Sequence, residues 1–188
     1  METLFDVSGI KIETDRLVLS PFTEADLEDF YSYASVPGVG EMAGWPHHKS
    51  IEESKTILDM FLTEKNVFGI YHKADDKVIG SVGLHNTTSW ADEDERYNHL
   101  KLKEIGYVLS KDYWGQGLVV EAVRAIIDYG FDELGLDAFS CGHFAENDQS
   151  KRVIEKCGFA FVKVGTYYSK LLDKHYDSLK YILLRDGV

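Results

Sequence analysis

Proline is scarce in this chain, with three in 188 residues, at positions 21, 37 and 46. No proline-rich linker, internal repeat or low-complexity tract divides it, so a single domain over residues 1–188 is expected. Cysteine is scarcer still. Cys141 and Cys157 lack the spacing of a zinc site or a redox pair, which excludes a disulfide framework and favours a reducing, cytoplasmic compartment. No apolar run approaches the ~20 residues that a membrane span needs. The opening stretch METLFDVSGIKIETDR carries acids where a secretory signal would have its apolar core, so no membrane association is expected. Positive charge is also short: 20 Lys and Arg face 32 Asp and Glu, for a net charge of −12. Nucleic-acid binding relies on Lys and Arg to neutralise phosphates, so nucleic acid is excluded as a general partner. The same imbalance favours solubility and attracts cationic partners such as amines.

What is present supports a core, since 44% of residues are hydrophobic and 13% aromatic. RLVLS at residues 16–20 alternates like a strand that Pro21 ends. Thr23, with Asp26 three residues on, reads as the cap of a helix whose apolar face is Leu27, Phe30, Tyr31 and Ala34. GEMAGWPHHK at residues 40–49 is a loop. Ser50 caps a second helix, with Glu53 in the capping-box position. Residues 68–72 and 78–84 read as a hairpin, an acidic loop follows around residues 91–96, and residues 102–109 form the next strand. A long helix is expected over residues 117–131, a strand over 137–142, a short helix from Asn147 to Cys157 stopped by Gly158, and strands over 159–168 and 175–184. The order predicts an α/β (α+β) fold: a mixed, mostly antiparallel central sheet of six to seven strands flanked by about four helices.

The most informative segment is EIGYVLSKDYWGQGLVVEA, residues 104–122. It reads as a strand, a glycine turn and a helix start. A helix start leaves N–H groups unpaired and carries partial positive charge, so it attracts phosphate. Gly115 and Gly117 let those groups approach a ligand and take positive φ. Residues Gln116 to Val120 are therefore the expected phosphate-binding stretch. A P-loop is rejected because no Lys followed by Ser or Thr comes after the second glycine. A Rossmann fingerprint is rejected because Val120 stands at its third glycine and the turn follows several strands.

Taken together, five blocks resemble the GNAT acyltransferase superfamily, in particular its RimJ/RimL-like branch of ribosomal-protein-type N-terminal N-acetyltransferases. They are TDRLVLSPFTEADLEDFY (14–31), GWPHHKSIEES (44–54), VIGSVGL (78–84), EIGYVLSKDYWGQGLVVEAV (104–123) and ENDQSKRVIEKCGF (146–159). They occur in the family's order and span nearly the whole chain. The resemblance implies a GNAT fold that uses acetyl-CoA, without a metal, to acetylate a primary amine in a ternary complex. By that resemblance Trp114, Gly115, Gln116, Gly117, Leu118, Val119 and Val120 hold the diphosphate, and Val119 departs from the family's small residue. Tyr107, Val108 and Leu109 offer backbone groups to the pantetheine arm, and an amide near Val108 stabilises the thioester oxyanion. Asn147 binds the same arm, and Ser150 donates a proton toward the departing sulfur, although Asn147 is also a good N-cap and Ser150 suits a first helical turn.

Glu104 is the candidate base, on the strand face it shares with Gly106 and Val108. Trp45 and His47 are expected at the acceptor cleft; His47-His48 lacks metal-ligand spacing, so no metal is assigned. His85, His99 and His143 read as structural. A lysine has pKa near ~10.4 and an α-amine near ~7.8, so at pH 7 neutralising them costs about 4–5 and about 1 kcal/mol. An N-terminal α-amine therefore needs little help from a base. The acceptor is expected to be a protein N-terminus or a small amine such as an antibiotic, amino acid or polyamine. A non-catalytic acyl-CoA-binding module is the alternative of another class, and the reading leaves room for a homodimer.

Overall fold

The structure is a computed structural model and describes residues 5–86 and 89–187. Eight strands form one sheet in the order β1-β2-β3-β4-β5-β6-β8-β7. They are β1 (Ile12–Glu13), β2 (Leu17–Pro21), β3 (Val67–His72), β4 (Lys77–His85), β5 (Leu102–Leu109), β6 (Ala138–Phe144), β7 (Ala160–Ser169) and β8 (Lys174–Leu184). The helices are α1 (Leu27–Ala34), α2 (Ile51–Glu64), a four-residue α3 (Ser89–Asp92), α4 (Leu118–Asp132) and α5 (Asp148–Lys156). Every neighbouring pair of strands is antiparallel except β5 and β6. The mixed, mostly antiparallel sheet and its flanking helices agree with the sequence reading. The eighth strand is the two-residue β1, too short to carry a periodic signal.

Two cores cover the two faces of the sheet. Under α4 lie Leu17, Leu19, Ile70, Val82, Leu84 and Ile105, packed against Leu118, Ala122, Val123 and Ile126 of the helix. On the other face Phe30 and Tyr33 of α1 and Leu58 of α2 pack with Phe22, Val67 and Val78. Strand alternation separates them: Ile105, Leu109 and the partly buried Tyr107 pack with the first core, and Val108 packs with the second.

Local rules account for the helix starts. Asp26 Oδ2 accepts from Thr23 N at 2.6 Å and Thr23 Oγ1 at 2.9 Å, and Ser50 Oγ accepts from Glu53 N at 3.3 Å. Pro21 closes β2 from inside, at the strand's last position. The segment expected as plain loop before α2 contains a 3₁₀ turn, Glu41–Ala43, and Gly44 follows it at φ +92°. Glu41 organises this segment. Its carboxylate accepts from Gly38 N, His47 N and, at 2.7 Å, His47 Nδ1. Those hydrogen bonds outweigh the cost of burial and bring its pKa down to about 2.

Candidate active site

The site exists because β5 and β6 part. Their parallel register runs Leu102↔Ala138, Lys103↔Phe139 and Glu104↔Ser140, and then stops. β6 goes on pairing with β8 as far as Phe144, and β5 with β4 as far as Leu109, so the two C-terminal halves are each held from outside while they separate. At the fork point Cys141 Sγ lies 3.3 Å from Ile105 O and takes the carbonyl that a continued ladder would have used. The gap is a cleft of about 530 Å³ lined by β5, β6, the start of α4, α5 and the loop before α2.

Hydrogen bonding fixes which backbone groups face it. Ser110 N donates to Ile79 O at 2.8 Å. The antiparallel alternation then turns the backbone groups of Val108, Gly106 and Glu104 toward β4, and those of Ile105, Tyr107 and Leu109 toward the cleft. Leu109 O is taken by Trp114 Nε1 at 2.9 Å. Tyr107, with both its N–H and C=O, and the Leu109 N–H are thus the groups directed into the cleft. Val108 contributes its side chain to the opposite face, and the amide near it that points into the cleft belongs to Leu109.

The glycine turn closes one end. Gly115 and Gly117 adopt φ +77° and +76°, where an L side chain is strained, and Gly117 is the N-cap of α4 with no side chain capping it. Among the described residues no hydrogen bond is made by the backbone N–H of any residue from 115 to 120; the first helical bond is Glu121 N to Gly117 O at 3.1 Å. Six consecutive amides at the positive end of a 15-residue helix are thus left without partners, and five of the six residues, all but Gln116, line the cleft. Leu118 and Val119 line the cleft but keep their side chains in the core, at 1% and 8% exposure. The valine that departs from the family's small residue is thus packed against the core. Arg152 and Lys156, one turn apart on α5, line the same cleft and bring positive charge to it.

The start of α5 forms the opposite wall and is capped by a side chain. Asn147 Oδ1 accepts from Ser150 N at 3.1 Å, and Asn147 Nδ2 donates to Met42 O at 3.3 Å across the cleft mouth. Ser150 Oγ lies 2.8 Å from the Tyr107 hydroxyl, which also donates to Ser150 O at 3.2 Å. Burial holds the Tyr107 phenol well above its ordinary pKa, so it stays a proton carrier at any working pH. The sequence reading assigned only the backbone of Tyr107; no local pattern reveals that its side chain reaches α5.

On the α1/α2 side the structure separates the expected acceptor residues from the cleft. Trp45 packs against Gly40 and, at 5.1 Å between ring centroids, against His48. His47 is engaged with Glu41. The loop residues that line the cleft are Val39, Met42 and Ala43. The loop is fastened to the far strands by Ser169 Oγ donating to Gly44 O at 2.7 Å. Glu104 does line the cleft, on the face it shares with Gly106 and Val108. Its cross-strand partner is His85, whose ring lies over two positions without side chains: a Cβ built on Gly83 would meet Nε2 at 2.6 Å and one on Gly106 at 3.4 Å. Burial pushes the His85 pKa below its ordinary value, against the opposing pull of Glu104. His85 is exposed as a residue, but its ring is backed by the sheet. In the sequence it is an isolated histidine and reads as structural; its pairing with Glu104 depends on the β4–β5 register. No group of three metal-ligating side chains occurs among the described residues.

Residues 16–160 match the family described as acetyltransferase (GNAT) domain. The chain is similar to the uncharacterized N-acetyltransferase YoaA of Bacillus subtilis, with 28% identity over 93% of this chain and 96% of that one. Its fold is similar to the ribosomal-protein-S5-alanine acetyltransferase of Vibrio fischeri, with TM-score 0.70 and 18% identity over 95% and 98% of the two chains. It is also similar to the spermidine N-acetyltransferase of Vibrio cholerae solved with CoA and spermine, with TM-score 0.71 and 16% identity over 91% and 96%.

Proposed function

The chain belongs to the GNAT acetyltransferase family and is an acetyl-CoA-dependent N-acetyltransferase, and from that premise we propose that its acceptor is a protein N-terminal α-amine, reached from the α1/α2 side of the fork. The observation that carries the site assignment is the run of six unpartnered amides at residues 115–120, set at the end of a cleft that fits a long thioester carrier with a diphosphate. In this reading those amides bind the diphosphate, and the cleft-facing backbone of Tyr107 and Leu109 aligns the pantetheine arm as an added strand.

The chemistry forms one C–N bond and breaks one C–S bond. The attacking amine loses a proton, and the departing thiolate gains one. Glu104 and His85, side by side on neighbouring strands, accept the first, directly or through water. The Ser150–Tyr107 hydroxyl pair, 2.8 Å apart, supplies the second. A lowered His85 pKa keeps its imidazole neutral at pH 7, the form that accepts a proton. An α-amine suits this modest base, because it costs only about 1 kcal/mol to neutralise at pH 7 and a lysine about 4–5.

A panel of N-terminal peptides, lysine-bearing peptides with blocked N-termini and small polyamines, assayed by thiol release from acetyl-CoA, tests the acceptor. Peptide α-amines are expected to turn over fastest. Turnover confined to polyamines would overturn the acceptor assignment, and coenzyme binding without turnover on the whole panel would favour a binding module.

A further inference from the structure

Glu121 poses a problem for an anion site. It lies in the first turn of α4, one turn beyond Gly117, where a free carboxylate would repel a diphosphate and draw the same helix dipole to itself. The structure turns it away. Oε1 accepts from Thr14 Oγ1 at 2.6 Å and from Arg16 N at 2.9 Å, while Oε2 faces Arg16 Nε and Nη2, both at 2.7 Å. These hydrogen bonds and the Arg16 charge hold the Glu121 pKa below the usual carboxylate value despite burial. The β1–β2 turn that supplies these groups is itself tied, by Thr14 N to Leu17 O and Leu17 N to Thr14 Oγ1, each 3.0 Å.

Arg16 has one more donor, and it is spent on the glycine turn: Nη1 donates to Gln116 O at 3.0 Å. The Gln116 carbonyl and the Gly117 N–H belong to one planar trans peptide and point in opposite directions. Drawing the carbonyl outward onto the guanidinium therefore aims the Gly117 N–H the other way, into the run of free amides. With glycine on its C-terminal side and Gly115 just before Gln116, this peptide would otherwise rotate easily.

We propose that Arg16 is a positioning residue for coenzyme recognition: its guanidinium neutralises Glu121 and fixes the peptide between Gln116 and Gly117 so that its N–H is presented to the diphosphate. The proposal rests on the reading of residues 115–120 as the diphosphate site and assigns that site's geometry to a side chain one hundred positions away in sequence.

The test compares two donors, acetyl-CoA and S-acetylpantetheine, which carries the same thioester without the diphosphate. In Arg16→Gln the KM for acetyl-CoA is expected to rise roughly tenfold, the scale of one lost charge-assisted hydrogen bond, with kcat retained. Turnover of S-acetylpantetheine is expected to stay within about twofold of wild type, since no step with that donor uses the turn. Glu121→Gln keeps an oxygen for Thr14 and Arg16 N; it is expected to show the same selectivity at about threefold and carries the test if Arg16→Gln does not fold. Equal losses with both donors would mean a merely structural role and overturn the proposal. Unchanged kinetics in both variants, with wild type still preferring acetyl-CoA, would overturn the clamp and leave the turn assignment standing. A wild-type enzyme that uses the two donors equally well would overturn the turn assignment, and the clamp with it.

Discussion

Two helix starts face each other across the cleft, and they are built on opposite principles. α4 begins at a glycine with positive φ, has no side-chain cap and leaves the N–H groups of residues 115–120 without partners. α5 begins at Asn147, whose side chain satisfies Ser150 N and reaches over to Met42 O. Both carry the same dipole, yet the first leaves six successive amides unpartnered and the second has its Ser150 N–H capped. A helix start whose cap is withheld therefore keeps amides available to an anion, whereas a capped start holds neighbouring loops and side chains in place.

Gly117→Val would break the contrast most severely. A β-branched residue at φ +76° costs on the order of 1–3 kcal/mol of strain, or moves the turn to escape it. Calorimetry is expected to show coenzyme affinity down by about 100-fold. An unchanged affinity would remove the diphosphate from this turn.

The α5 side should respond in turnover instead of affinity. Ser150→Ala and Tyr107→Phe are each expected to lower kcat about 100-fold, the low end for general-acid contributions, with the KM for acetyl-CoA nearly constant. The double variant should be little worse than either single one, because the hydroxyls act as a pair. Fully additive losses would show that they act separately.

Asn147→Ala tests the closed helix start itself. Loss of an N-cap costs about 1 kcal/mol, which for a chain of this size lowers the melting temperature by about 2–4 °C. Coenzyme affinity should fall less than in Gly117→Val. A larger fall would move Asn147 from capping to direct contact with the ligand.

The base has a signature in pH. In the proposed mechanism His85 accepts the proton in its neutral form, and burial lowers its pKa, so kcat/KM is expected to fall as pH drops through that lowered value. In His85→Asn the acidic limb should shift or shrink, and a limb identical to wild type would leave Glu104 as the sole acceptor. The sign for stability is the same. The unfolded chain takes up the proton at higher pH than the folded one, so stability contributed by neutral His85 is present above about 6.5 and declines as pH falls toward the folded value.

The smallest change in coenzyme affinity is expected from Val119→Ala. Its side chain is buried in the α4 core, so thermal stability should drop by about 1–3 kcal/mol while coenzyme affinity stays within about twofold. A clear gain in affinity would mean that the valine does crowd the turn.

Much of the fold and part of the site are legible in the sequence. Alternation locates β5 and both strands of the β3–β4 hairpin, helical spacing locates α4, and capping residues locate the starts of α2 and α5. The glycine pair points to the anion site, because positive φ and an uncapped helix start are properties of a few adjacent residues. Trp45 and His47 show the limit. Their letters suit an acceptor cleft, but the folding of residues 40–48 around Glu41 puts Met42 and Ala43 on the wall and turns the two rings elsewhere. His85 shows the converse, an ordinary-looking histidine made interesting by a strand pairing that no local pattern encodes.

The sequence by itself determined most of the elements, the glycine turn leading into residues 116–120 and the family, since each depends on neighbours along the chain or on the order of motifs; β1, the Glu41–Ala43 turn and α3 carry too few residues to show a pattern. Tertiary structure decided which partners those elements meet: the parting of β5 from β6 after Glu104, the Tyr107–Ser150 contact over 43 positions, and the grip of Arg16 on a turn 100 positions away. The physical reason is that a backbone conformation is selected within a few residues, whereas the aim of an amide or the company of a carboxylate is fixed by whatever packs against it.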